Sequence, residues 1–161
     1  MTRLTLLALG FLLLLPSPLQ AERSGSWRVV CQQDATAHEP LCHVSTLARD
    51  ERTGSWIGVA VQILNGSHEV QVTSGGSLYN SAEIDAEPHT TTYTDYCYGS
   101  YCVFVHAESL VERFKSESRV NIRLFNGSTA PSIEQRISLL GFTRAYEDYL
   151  SRTGLGRTGG Y

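Results

Sequence analysis

The sequence predicts a mostly β protein, an antiparallel β-sandwich with a short helix between its late strands and a second helix at its C-terminus. Short segments of alternating apolar and polar residues recur along the chain, separated by turn-forming residues. Only two segments have the three- and four-residue apolar spacing of an amphipathic helix. Cysteines lie in two pairs, each of which could join neighbouring strands. Many strands with few helices are typical of sandwiches and barrels, and we favour the sandwich.

The first 21 residues are predicted to be a signal peptide rather than part of the fold. Arg3 gives a positive start, residues 4–15 are largely apolar, and the segment ends at the small residue Ala21. This apolar run is shorter than the ~20 residues that a membrane-spanning helix needs. After cleavage we expect a single sandwich domain at 22–152 and a flexible, Gly-rich tail at 153–161. The protein should then be periplasmic or secreted, with no membrane span.

The first half of the domain is predicted to contain four strands, at residues 27–31, 42–48, 56–64 and 68–73. Between the third and fourth strands lies Asn65-Gly66, the dipeptide favoured in two-residue hairpin turns. With this turn, Val70 and Val72 can pair with apolar residues of the preceding strand. The pattern therefore predicts a hairpin with one apolar face.

The second half is predicted to contain strands, a cysteine-flanked hairpin and both helices. These are an edge strand at 82–85, a hairpin at 93–107, a helix at 108–115, strands at 120–125 and 133–139, and a helix at 143–152. Ser109 and Glu112 have the spacing of a capping box at the start of the first helix. The second helix should bury one face, formed by Phe142, Ala145, Tyr146, Tyr149 and Leu150.

The four cysteines are predicted to form two disulfides, because an even number of cysteines in an exported chain is typical of a disulfide framework. Local pairing joins Cys31 to Cys42 and Cys97 to Cys102, and the chain-entropy model assigns such loops roughly 2–3 kcal/mol each. Pairing of Cys42 with Cys97 stays open, since with Trp56 these cysteines approach the spacing of an immunoglobulin domain.

Composition and motifs argue against several functions. The chain has 13 Lys and Arg against 16 Asp and Glu, and its basic residues are scattered, so nucleic acid is not an expected partner. It contains no Gly-x-Ser-x-Gly, no His-Glu-x-x-His and no Gly-rich phosphate loop. We expect no catalytic residues and no cofactor. A hydrolase whose site is assembled from residues distant in sequence is the alternative.

Tyrosines around the second cysteine pair are the first candidate binding site. Tyr96, Tyr98 and Tyr101 lie within six residues of one another, and tyrosine is enriched in protein interfaces. We therefore predict an interaction surface for an unknown protein partner. The alternative is ordinary packing of tyrosines along a sheet.

A metal site is the second candidate. Asp85, Glu87 and His89 alternate, so an extended chain would point all three to one side, and their oxygen and nitrogen atoms could hold zinc or copper. Pro88 interrupts this run, which favours a solvated sheet edge instead. A periplasmic metal-binding protein is thus an alternative to the protein-binding function.

Four sequence features are shared with a known family of secreted bacterial proteins. They are Gly25-Ser-Trp27-Arg-Val-Val-Cys31, Cys42, Cys97-Tyr-Gly-Ser-Tyr-Cys102-Val and Ser138-Leu-Leu-Gly-Phe142-Thr-Arg-Ala145. On these residues the chain resembles the invasion-associated locus B family from about residue 26 to 150. The resemblance implies an exported β-sandwich of a Gram-negative bacterium, cysteines with a structural role, no catalytic residues, and a role in host-cell invasion or the envelope. The polar segment 74–80 departs from the family pattern, in which this region tends to be apolar and Pro-rich.

Overall fold

The structure is a computed structural model of the 161-residue chain. It describes residues 27–32, 40–50, 54–75, 78–86 and 90–157. The predicted signal peptide at 1–21 and the end of the predicted tail at 158–161 lie outside these ranges.

The described residues form ten strands in two antiparallel sheets, and six of the strands make the larger sheet. In spatial order the larger sheet contains β1 (Arg28–Gln32), β2 (Leu41–Arg49), β3 (Trp56–Leu64), β4 (Ser67–Ser74), β8 (Tyr101–Phe104) and β7 (Tyr96–Tyr98). The β3–β4 turn at Asn65 and Gly66 has positive φ angles of 51° and 81°, as a two-residue hairpin turn of this sequence requires. The predicted hairpin is therefore confirmed, and in its register Val59 lies opposite Val72 and Val61 opposite Val70.

The smaller sheet contains four strands. In spatial order they are β10 (Ile133–Ser138), β9 (Arg119–Phe125), β5 (Ser81–Ala86) and β6 (Thr90–Tyr93). β5 lies between β9 and β6, so the prediction of an edge strand at 82–85 was wrong. The edge is instead β6, a four-residue strand whose Thr-rich sequence has no apolar alternation to mark it.

The core lies between the two sheets because each sheet has one apolar face, and these two faces pack against each other. Buried valines and isoleucines of the larger sheet face a similar set from the smaller sheet, including Ile84, Ile122 and Ile137. Outward positions on the same strands carry polar or half-exposed residues. This alternation confirms the predicted sandwich. Alternate residues of each strand are apolar and point to one face of the sheet, and that face is the buried one.

Two helices add an aromatic cluster to this core. They are α1 (Glu108–Ser116) and α2 (Phe142–Thr153). The Phe142 ring lies 4.8 Å from Trp27 and 5.4 Å from Phe114 between ring centroids. Trp27 also donates from Nε1 to the Ser138 carbonyl at 2.9 Å, and the Ile63 N–H donates to the Tyr149 hydroxyl at 2.8 Å. The helices are thereby fixed to the start of the described chain and to the end of β3.

The predicted capping box of α1 is not formed. The helix begins at Glu108 with Ala107 as its N-cap residue, and no side chain caps it. Ser109 therefore lies within the first helical turn instead of preceding it. Glu112 forms an ion pair with Lys115 at 2.6 Å.

Helical structure continues into the segment predicted to be a flexible tail. α2 includes Thr153, and after Gly154, with a φ of 73°, residues Leu155–Arg157 form a 3-10 helix. Gly156 lies close to Leu150, because a Cβ added there would be 3.4 Å from the Leu150 Cβ. In the described part of the chain, no helix has both the length and the apolar character to cross a bilayer.

Both local disulfides are present in the structure. Cys31–Cys42 joins residues opposite each other on β1 and β2, and Cys97–Cys102 does the same on β7 and β8. β1 and β7 are the two edge strands of the larger sheet. Each edge strand is thus covalently tied to its neighbour, and the immunoglobulin-like pairing of Cys42 with Cys97 is not formed.

Candidate functional site

The three predicted tyrosines form one exposed surface, which we name the tyrosine face: Tyr96, Tyr98 and Tyr101. Tyr98 is opposite Tyr101 in the β7–β8 hairpin, with ring centroids 6.0 Å apart. Tyr96 lies two residues before Tyr98 and therefore points to the same side of the sheet. The relative exposures are 51% for Tyr96, 74% for Tyr98 and 37% for Tyr101. All three lie on the outer side of the larger sheet, opposite to the core.

An apolar strip continues the tyrosine face across the larger sheet. Tyr101 is opposite Thr73, Thr73 is opposite Gly58, and Gly58 is opposite Leu47, so one row crosses from β8 to β2. A Cβ added at Gly58 would lie 3.0 Å from Thr73 Cγ2 and 3.7 Å from both Leu47 Cδ1 and the Trp56 ring. These three side chains therefore close over the glycine, and the 53% exposed Leu47 extends the surface.

The hairpin that carries the tyrosine face is held by several bonds. The buried Cys102 ties β8 to β7 through the disulfide. The Asp95 carboxylate accepts from the Val105 N–H at 2.8 Å, and the Thr94 hydroxyl donates to the Val103 carbonyl at 2.8 Å. A surface held in this way binds with a smaller loss of conformational entropy than a mobile loop would.

Tyr93 does not belong to the tyrosine face. It lies on β6 in the smaller sheet, opposite Glu83, so the predicted hairpin at 93–107 was too long at its start. The chain crosses between sheets at Thr94, whose N–H donates to the Ala82 carbonyl at 3.0 Å, and the Asp95 N–H then bonds to Val103 in the larger sheet. Tyr93 and Tyr96 are therefore only three residues apart in sequence but lie in different sheets.

The proposed metal site is not assembled by the described residues. The Asp85 carboxylate accepts from Arg123 Nη2 at 2.6 Å and from the Thr91 hydroxyl. Glu87 and His89 lie outside the described residues. In the part of the chain that the structure describes, no group of three His, Cys, Asp or Glu residues could hold a metal ion.

Sequence reasoning missed a polar cluster between the β3–β4 hairpin and the helices. The Ser67 hydroxyl donates to Glu108 Oε1 at 3.0 Å and lies 3.0 Å from His106 Nδ1. The His68 N–H donates to the same Glu108 oxygen at 3.1 Å, and His68 Nε2 is hydrogen-bonded to the Tyr146 hydroxyl. Because its members are about 40 and 80 residues apart in sequence, no local pattern marks this cluster.

The cluster contains a serine, a histidine and a carboxylate, but not in the order of a catalytic triad. In a triad the histidine lies between the serine and the carboxylate and takes the serine proton. Here Ser67 lies between His106 and Glu108. Hydrogen bonds from the N–H groups of Glu108 and His68 and from the Ser67 hydroxyl lower the pKa of Glu108 to about 2, which makes it a weak base. This arrangement suits a structural connection better than nucleophile activation.

Comparisons with known proteins identify relatives of this chain. Residues 27–149 match the sequence profile described as "Invasion associated locus B (IalB) protein". The fold is similar to the crystal structure of invasion associated protein B from Bartonella henselae, with a TM-score of 0.61 and 12% sequence identity over 81% of this chain and 94% of that chain. No curated protein matches the chain in sequence.

The profile match covers most of the chain, including both disulfides and both helices except for the last four residues of α2. The structural likeness shows that the fold is shared. Two disulfides indicate a protein of an oxidising compartment outside the cytoplasm. The chain belongs to the invasion-associated locus B family.

Proposed function

We propose that the protein is exported and acts by binding another protein through the tyrosine face, without catalysing a reaction. The observation that carries this proposal is the outward exposure of three neighbouring tyrosines on a disulfide-tied hairpin. Tyrosine combines a large apolar ring with a hydroxyl, and truncating such a residue at the centre of an interface typically costs about 2 kcal/mol or more.

The extent of the surface supports a protein partner rather than a small molecule. The tyrosine face continues through Thr73 to Leu47 as one row of residues across four strands of the larger sheet. Small-molecule sites are usually concave and enclose most of the ligand, whereas protein interfaces are broad with an aromatic centre. A partner protein could therefore bind the tyrosine face and its continuation to Leu47 as a single interface.

The predicted export and the family support a proposal for the location and for the partner. We place the protein in the periplasm or outside the cell, and its partner in the bacterial envelope or on a host-cell surface. Membership of the family supports a role in host-cell invasion or in envelope function. The Bartonella relative is itself described as invasion-associated.

A matched pair of variants tests the binding proposal. Tyr98→Ala with Tyr101→Ala should weaken binding to a partner recovered from envelope or host-cell membranes by at least about tenfold, because the central aromatic contacts are lost. The control is Tyr93→Ala, which removes a 67% exposed tyrosine from the other sheet and should leave binding unchanged. Binding by surface plasmon resonance that is equal for the double variant and the wild type would remove the tyrosine face from consideration.

The alternatives of a metal-binding protein and a hydrolase have less support. Asp85 is already bound by Arg123, and the serine, histidine and carboxylate cluster lacks the order needed for catalysis. We therefore expect the unfolding temperature with zinc or copper ions to lie within about 1 °C of its value with a chelator, since the described residues contain no group of three metal ligands. A rise of several degrees with zinc, abolished by Asp85→Asn, would instead favour the metal-binding alternative.

A further inference from the structure

The outer side of the smaller sheet contains an open cleft that the proposed protein-binding function does not use. Its volume is about 270 Å³. The cleft is lined by Asp85, Ala86, Thr91, Arg119, Val120, Asn121 and Arg136. It lies on a different sheet from the tyrosine face, so ligand binding here and protein binding there concern separate surfaces.

The acidic group in the cleft, Asp85, is ion-paired with an arginine that it shares with a second carboxylate. Asp85 pairs with Arg123 at 2.6 Å, and the same Arg123 nitrogen lies 3.0 Å from Glu83 Oε2. The Thr91 hydroxyl donates its hydrogen to Asp85, which leaves the oxygen of Thr91 free to accept another hydrogen bond. Asp85 is therefore held by other partners, and Glu83, Asp85 and Arg123 together carry one net negative charge, which is less than the two positive charges of Arg119 and Arg136.

Two arginines in the cleft differ from Asp85 in this respect. Arg119 and Arg136 are exposed, and neither lies within ion-pair distance of a carboxylate among the described residues. Arg136 is opposite Asn121 on the neighbouring strand and donates to its side-chain oxygen over a long 3.4 Å. Arg119 is two residues from Asn121, which makes the arginines diagonal neighbours with Cα atoms about 7–8 Å apart.

Arg119 and Arg136 carry like charges on neighbouring strands and have no carboxylate partner among the described residues, so an anion bound by both would offset the repulsion between them. Phosphate and sulfate match the fork of N–H groups that a guanidinium presents. The Asn121 amide nitrogen and the Thr91 oxygen add hydrogen-bonding groups suited to hydroxyls beside the anion. The volume exceeds that of a single oxyanion and approaches the lower end of the range for small-molecule sites.

We propose that this cleft binds the phosphate or sulfate ester of a sugar-sized molecule, with Arg119 and Arg136 holding the ester group. Either ester offers the same tetrahedral anion, and the two differ in charge near neutral pH. Glucose 6-phosphate and glucose 6-sulfate are the probes, with glucose as the uncharged comparison. Inorganic phosphate and inorganic sulfate test the anion alone.

The first measurement is titration of ¹⁵N-labelled mature protein with each probe, followed by NMR. At least one ester should shift amide signals of residues 119–121 and 136 with a saturating curve, and glucose should not. The ester that binds more tightly identifies the anion. Shifts centred elsewhere, or none from either ester at millimolar concentration, would overturn the proposal.

The second measurement compares two double variants of equal charge change. Arg119→Gln with Arg136→Gln should weaken ester binding at least about tenfold in calorimetry, because two charge-assisted hydrogen-bond donors are lost. The control, Arg28→Gln with Arg144→Gln, removes two exposed arginines elsewhere and should bind like the wild type. Equal weakening of ester binding in both double variants would show that binding depends only on the net charge of the protein, and this result would refute the proposed site. If the first double variant fails to fold, the NMR titration of the wild-type protein is the test, because it shows directly whether an ester binds near residues 119–121 and 136.

Discussion

At the scale of single residues, Glu108 shows how one side chain can connect distant parts of the fold. Its Oε1 accepts from the Ser67 hydroxyl and from the His68 N–H, so the first residue of α1 is bound to the start of β4. Its place in the first helical turn also puts negative charge where the helix dipole favours it. The connection depends on the ionised carboxylate, which accepts hydrogen bonds but does not donate them.

This dependence predicts a specific loss of stability in acid. The pKa of Glu108 in the folded protein, about 2, lies below its ordinary value of 4.5, so the stabilisation by the carboxylate is complete above about pH 4.5 and lost as the pH falls toward 2. Glu108→Gln should therefore unfold more easily than the wild type at pH 7, and the difference should shrink between pH 4.5 and 2. Urea unfolding at pH 7, 4 and 2.5 measures it.

The control for this prediction is Glu147→Gln, which changes an exposed glutamate on α2. Its difference from the wild type should stay nearly constant over the same pH range. A difference for Glu108→Gln that does not depend on pH would contradict the assigned role of the carboxylate.

At the scale of secondary-structure elements, the two disulfides differ in accessibility. Cys42 and Cys97 are both half-buried, but their partners differ, since Cys31 is exposed and Cys102 is fully buried. We expect a mild thiol reductant to open Cys31–Cys42 before Cys97–Cys102 while the protein stays folded, since exchange requires access to a sulfur atom. Alkylation at successive times followed by peptide mass spectrometry gives the order. Faster opening of Cys97–Cys102 would contradict the burial that we describe.

Removing either disulfide should lower the free energy of unfolding of the protein by a measurable amount. Replacement of Cys31 and Cys42 by alanine should lower the free energy of unfolding by about 3 kcal/mol. The unfolded chain then regains the conformational entropy that the disulfide removes by closing the loop between these residues, which is the longer of the two disulfide loops. Replacement of Cys97 and Cys102 should cost about 2 kcal/mol from the shorter loop, plus the loss of a buried sulfur contact. Urea unfolding under oxidising conditions checks both values. An unchanged midpoint for either pair would show that the edge strand is held without its disulfide.

At the scale of the whole molecule, Trp27 connects the start of the described chain to both helices and to the last residue of β10. Its ring contacts Phe114 and Phe142, and its indole N–H donates to the Ser138 carbonyl. Trp27→Ala should lower the free energy of unfolding by about 3–5 kcal/mol through lost packing. Trp27→Phe keeps an aromatic ring and removes the hydrogen bond to the Ser138 carbonyl, so a smaller loss of about 1–3 kcal/mol is expected. Thermal and urea unfolding measure both, and similar losses for the two variants would contradict the packing role.

Much of the fold could be predicted from sequence because local patterns carry it. The β3–β4 hairpin follows from alternating valines around Asn65-Gly66, and both helices follow from their apolar spacing. The place of β5 inside its sheet could not be predicted, since it depends on pairing with a short strand that has no apolar alternation. Strand order and the crossing between sheets are long-range properties that local patterns do not encode.

The candidate site was predictable only in part, for the same reason. Period-two alternation places Tyr96 and Tyr98 on one side of a strand, but it does not tell which side the other sheet covers. The structure supplies that fact and separates Tyr93 from the group. The cleft with Arg119 and Arg136 has no sequence signal, because its residues come from four strands.

The pairing of consecutive cysteines has a consequence for biogenesis. Cys31 bonds to the next cysteine along the chain, Cys42, and Cys97 bonds to the next, Cys102. A polypeptide that emerges from a translocation channel N-terminus first presents Cys31 and Cys42 to an oxidant before the later pair arrives. For an exported chain we therefore expect the bonds to form in the order of emergence, so that maturation depends on a thiol oxidase and not on an isomerase that reshuffles mispaired intermediates.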